Sequence, residues 1–74
     1  MHRHLQKRSL TLSGHQTSLA LEPAFWAALE RCAAAQGQTL GALIAQIDAA
    51  KPAGQPLASA ARVFALAHAS GPAP

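Results

Sequence analysis

The stretch Thr17-Ser-Leu-Ala-Leu-Glu-Pro-Ala-Phe-Trp-Ala-Ala-Leu-Glu30, followed by Gly37-Gln-Thr-Leu-Gly-Ala-Leu-Ile-Ala-Gln-Ile-Asp48, decides the fold. Thr17, Leu19 and Leu21 alternate with Ser18 and Ala20, the period of a half-buried strand. Glu22-Pro23 then opens a helix, because proline at the first helical position lacks only an N–H that would go unpaired there. Phe25, Leu29, Cys32 and Ala33 follow at helical spacing as one apolar stripe. Trp26 stands one step off that stripe and is expected over the edge of the core. Gly37 suits the left-handed residue that ends a helix, and Thr39 is placed to cap the next one. Leu40, Leu43, Ile44 and Ile47 give the cleanest helical period in the chain.

Upstream, Leu10 and Leu12 share one face of an extended segment, and Ser9, Thr11 and Ser13 share the other. The apolar residues occupy even positions before Gly14 and odd positions after it. A continuous strand would turn half its leucines outward, so Gly14 marks a turn or a bulge. Two short strands, or one strand with a kink, fit better than an uninterrupted one. A lone strand ahead of a helix cannot bond its own backbone, so the order of elements calls for a second copy of the chain, paired antiparallel. Such a two-stranded ribbon has the dimensions of the DNA major groove.

Residues 1–6 read as a flexible basic arm and 7–50 as the strand and helix core. Two prolines and a glycine in 51–56 form a linker. A third helix is expected over 57–69, with Leu57, Ala61 and Phe64 on one face and Val63 and Leu66 beside it. Residues 70–74 form a tail.

Of the 74 residues, 19 are alanine and only 17 are larger aliphatics, aromatics or methionine. A single-chain core is therefore expected to be thin, and self-association is the expected remedy. Arg3, Lys7 and Arg8 lie in the first eight residues and no acid precedes Glu22. That balance suits a polyanion, chiefly nucleic acid, and equally a solvated tail. Cys32 stands alone, which excludes an intramolecular disulfide and a cysteine zinc cage. No secretory leader and no membrane span is expected, which makes the cytoplasm the default location.

The order strand, helix, Gly, Thr, helix resembles the ribbon-helix-helix family of bacterial DNA-binding proteins. The wider set KRSLTLSGHQTSLALEPAFWAALERCAAAQGQTLGALIAQID, with the later LASAARVFAL, resembles a small subfamily. That subfamily carries a KRS…GH.TS…LE..FW stretch and an extra C-terminal helix. The resemblance implies a mainly α protein with a short N-terminal β-strand. It forms an intertwined homodimer whose two strands make an intermolecular antiparallel ribbon, with Leu19, Leu21, Phe25, Leu29, Leu43, Ile44 and Ile47 in the dimer core. It also implies a small transcriptional regulator, associated with the nucleoid, whose strand face of Gln16, Ser18 and Ala20 meets base edges in double-stranded DNA.

The same resemblance places phosphate at the start of the second helix, on Gln38, Thr39 and Leu40. Free N–H groups and the helix dipole favour an anion there, although a cap explains Thr39 equally well. Lys7, Arg8 and His15 are further candidates for backbone contacts. The alternative function is a protein-interaction or oligomerisation module, adaptor or antitoxin-like. It would bind a partner, or join dimers into a tetramer, through Val63, Phe64 and Leu66.

His2, His4, His15 and His68 are too scattered for a metal site, and none is expected. No phosphate loop, nucleophile elbow or carboxylate pair is present, so neither enzyme activity nor a cofactor is expected. Arg62 falls inside the apolar third helix, where a pair with Asp48 would fix that helix against the second. A solvated arginine is the alternative.

Overall fold

A computed structural model describes residues 4–69, so arm residues 1–3 and the tail 70–74 lie outside the described part. Strand β1 (Gln6–Leu12) and strand β2 (His15–Leu21) precede helices α1 (Pro23–Ala35), α2 (Leu40–Ala50) and α3 (Leu57–Ala69). The strands pair antiparallel with Leu12 opposite His15 and Gln6 opposite Leu21. Ser13 and Gly14 make the connecting turn with φ of 52° and 84°. Positive φ at both central residues is the two-residue hairpin geometry that matches the twist of paired strands.

This pairing accounts for the parity change. Across a two-residue turn each even position faces an odd one, so Leu10 and Leu12 share a face with Thr17, Leu19 and Leu21. Of the two readings of residues 7–21, the hairpin is the one found. Within the chain, β1 is the antiparallel neighbour of β2 along one of its edges. β2 therefore does not need a second copy to satisfy the edge it turns toward β1.

α1 begins with Pro23 after Glu22, whose carbonyl accepts from the N–H groups of Phe25 and Trp26 at 2.9 and 3.2 Å. It ends in a Schellman motif. The Gln38 N–H donates to the Ala33 carbonyl at 3.0 Å and the Gly37 N–H to that of Ala34 at 3.1 Å. Gly37 takes φ 69°. α2 starts where Thr39 Oγ1 accepts from the Ala42 N–H at 3.0 Å.

Leu12, Leu19 and Leu21 from the hairpin meet Trp26 and Leu29 of α1 and Leu43, Ile44 and Ile47 of α2 in one buried cluster. The α3 residues that reach full burial are Ala60, Ala61 and Ala65. Small side chains let helix axes approach closely, so the alanines that make the composition look poor serve to seat α3. Of the residues expected in a dimer core, Leu19, Leu21, Leu29, Leu43, Ile44 and Ile47 are buried in the chain and Phe25 is half buried.

Two side-chain expectations are corrected. Trp26 is not at the rim: it is 1% exposed, and its Nε1–H donates to the Gln6 carbonyl at 2.8 Å. α2, α3 and side chains of the hairpin together cover α1 along a broader arc than a single stripe, and that arc takes in position 26. Arg62 does not reach Asp48. Its Nε donates to Glu22 Oε1 at 3.0 Å and its guanidinium stands 5.8 Å from the centre of the Phe25 ring. Asp48 lies 4.0 Å from Lys51 instead. Arg62 thus ties α3 to the start of α1.

Candidate nucleic-acid interface

The hairpin has two unlike faces. Toward the helices it presents Leu10, Leu12, Thr17, Leu19 and Leu21 together with Arg8. Away from them it presents Lys7, Ser9 and Thr11 on β1 beside Gln16, Ser18 and Ala20 on β2. The cross-strand pairs on this outer face are Lys7 with Ala20, Ser9 with Ser18 and Thr11 with Gln16. All are exposed except Ala20, which is half covered. Direct neighbours across a sheet lie about 5 Å apart, so the six form two adjoining rows.

Charge distinguishes this surface further. Residues 4–21 contain no aspartate or glutamate.

Arg8, expected among the phosphate contacts, faces the other way. Its Nη1 bonds Glu30 Oε2 at 2.7 Å and its guanidinium lies 4.6 Å from the centre of the Trp26 ring. His15 closes the hairpin opposite Leu12 and is exposed. Lys7 shares a surface with Gln16, Ser18 and Ala20, whereas Arg8 does not.

At the start of α2 most polar groups are already engaged. Thr39 Oγ1 holds the Ala42 N–H. The Gln38 side chain donates to Gln36 Oε1 at 2.6 Å and accepts from Gln46 Nε2 at 3.0 Å. Leu40 is half buried against the core. What remains for an anion is the first-turn backbone N–H of Leu40 and Gly41, which a helix start leaves without intrahelical acceptors.

Ser9 and Thr11 were not among the expected contacts. The signal for them was the parity change at Gly14. Opposite parity on the two sides of a two-residue turn sets positions 7, 9 and 11 on the same face as 16, 18 and 20.

A second surface lies between α2 and α3. Leu43, Ile47, Val63, Phe64 and His68 line an open apolar groove of about 490 Å³ between α2 and α3. Val63 is 60% and Leu66 is 69% exposed. The Phe64 and His68 rings stack at 3.9 Å, with His68 Nδ1 3.0 Å from the Phe64 carbonyl. Among the described residues no group of three or more His, Cys, Asp or Glu side chains could hold a metal ion. No helix among them is long and apolar enough to cross a membrane.

Compared with known families, residues 5–69 match the family model described as a ribbon-helix-helix domain. That span takes in the hairpin and all three helices. Neither the curated proteins nor the solved structures give a significant match.

Proposed function

The chain belongs to the ribbon-helix-helix family, and from that premise we propose that it is a homodimeric DNA-binding protein, a small transcriptional regulator that works in the cytoplasm and on the nucleoid. It is a binding protein and not a catalyst. The observation that carries this reading is the outer face of the hairpin, which is free of acids and, apart from the half-covered Ala20, exposed and polar. Gln16 is suited to adenine N6 and N7 and Ser18 to several base edges, while Ala20 offers only contact with a thymine methyl. Lys7, His15 and the backbone N–H groups at the start of α2 supply phosphate contacts, which position a protein and make its affinity fall with salt.

Self-association falls to the α2–α3 face. Leu43 and Ile47 of the expected dimer core lie along its groove, and Val63 and Leu66 stand exposed at its side. Large exposed apolar side chains grouped on one face mark an interaction surface. That observation also favours a second reading, in which the same face binds a different protein and DNA contact is weak.

A mobility-shift series on genomic DNA fragments at rising salt, run beside a mass measurement in solution, tests the first reading. Binding that weakens steeply with salt is the expected result. A confirmed dimer that binds no DNA at low salt rejects it and leaves the second.

A further inference from the structure

We infer that β1 is a flanking strand that holds the DNA backbone: Ser9 and Thr11 join Lys7 in binding phosphates beside the groove, and base reading stays with β2. This rests on the DNA reading above, with the ribbon built from the β2 strands of two chains. It adds two phosphate-binding residues per chain and gives β1 a positioning task distinct from reading.

The hairpin register sets the geometry. Lys7, Ser9 and Thr11 stand directly across from Ala20, Ser18 and Gln16 on the face turned from the helices, and all three are exposed. The sheet has two strands, so β2 keeps one edge open, and an open edge accepts a further strand. Joining the β2 strands of two copies along that edge leaves a β1 outermost on each side. At about 4.8 Å per strand, the two β1 strands lie about 14 Å apart with the β2 pair between them. The major groove is about 12 Å wide and about 8.5 Å deep. The β2 pair fits within that width, and each β1 comes over the phosphates of one side. The edge of β2 and the lining of the α2–α3 groove share no residue, so this pairing does not use up that surface.

The side chains on β1 suit that place. Serine, threonine and lysine all donate to phosphate oxygen. Ser9 and Thr11 are also short, which lets the strand come close to the backbone and keeps both hydroxyls away from base edges at the floor of the groove. Charge agrees, because residues 4–21 carry no aspartate or glutamate and no carboxylate of either strand meets the phosphates. Arg8 faces the helices and bonds Glu30, so the positive charge on the outer face of β1 comes from Lys7 alone. The two hydroxyls therefore add affinity that depends little on salt, and the Lys7 contact adds affinity that falls with salt.

The test is selection of duplex sites from a random library by the full chain, followed by affinities for a selected and an unrelated duplex across a salt series. Both are repeated with S9A/T11A, with K7Q and with Q16A/S18A, and circular dichroism melts confirm that each variant folds. S9A/T11A is expected to weaken binding to both duplexes alike, about fivefold or more, with the selected sequence unchanged. K7Q removes one phosphate contact per chain, so the slope of log affinity against log salt should become shallower by about 2 for a dimer. Q16A/S18A, by contrast, should alter the selected sequence. A changed base preference in S9A/T11A overturns the inference, because β1 then lies in the groove. Unchanged affinity of S9A/T11A for both duplexes also overturns it, because β1 then stands clear of DNA. In either case the DNA reading survives. A wild-type chain that binds no duplex at low salt overturns both.

Discussion

Trp26 joins three parts of the chain through one side chain. Its ring is buried among the core residues, its Nε1–H donates to the Gln6 carbonyl, and the Arg8 guanidinium covers a ring face. These contacts differ in weight. The hydrogen bond is short and partly buried, and losing it leaves a carbonyl to find another donor, at about 1–2 kcal/mol. Arg8 and Glu30 have side chains 37% and 52% exposed, so that pair contributes at most about 1 kcal/mol even at 2.7 Å. The stacked cation adds about 0.5–1 kcal/mol. Trp26→Phe is therefore expected to lower stability in urea by about 2 kcal/mol once the smaller ring leaves a gap. Arg8→Ala, which removes both the pair and the stacked cation, should lower it by about 0.5–2 kcal/mol. Equal losses would mean that the cation matters more than the indole N–H. None of this was legible at position 26 in the sequence. A helical stripe shows which side of α1 is apolar, but how broadly partners wrap that side depends on contacts 20 residues away and on a third helix.

At the scale of elements, the hairpin is where sequence and structure meet most closely. Alternation located both strands, and the switch from even to odd apolar positions required a break near Gly14. The sequence could not choose between a bulge and a turn, because both shift parity by one residue. The choice lies in φ values of 52° and 84° at Ser13 and Gly14. A serine is a poor occupant of positive φ, whereas asparagine is a good one. Ser13→Asn is therefore expected to raise the melting temperature by a few degrees, equivalent to about 0.5 kcal/mol. Gly14→Ala should lower stability by about 1 kcal/mol through backbone conformation alone, because an added Cβ at Gly14 meets nothing within 4 Å. If Ser13→Asn destabilised the protein, the two-residue turn assigned here would be wrong. The third helix was legible in its bounds but not in its docking. Charge composition allowed Arg62 to pair with Asp48 or with water, and only the packing of α3 beside the start of α1 brings Glu22 within 3.0 Å.

For the whole molecule, alanine content reads differently once the helices are placed. A small residue adds little apolar area, which made a single-chain core look insufficient. Ala60, Ala61 and Ala65 nonetheless seat α3 on the rest of the core. What stays uncovered on that helix is Val63, which lines the groove with Leu43, Ile47 and Phe64, and Leu66 one turn further on. Burying those two side chains against a second copy would remove most of their apolar surface from water, about 1.5–3 kcal/mol for each. Val63→Glu combined with Leu66→Glu would instead place two acids in that contact on each chain. Neither residue supports the core, so the thermal melt of the dilute monomer should move by less than about 0.5 kcal/mol in stability terms. The mass in solution at micromolar concentration should fall to that of one chain, and DNA affinity should fall with it as two linked hairpins become one. Unchanged mass in the double variant would remove the α2–α3 face as the site of self-association. Self-association would then fall to the open edges of the hairpin, where unpaired backbone groups can still accept a strand.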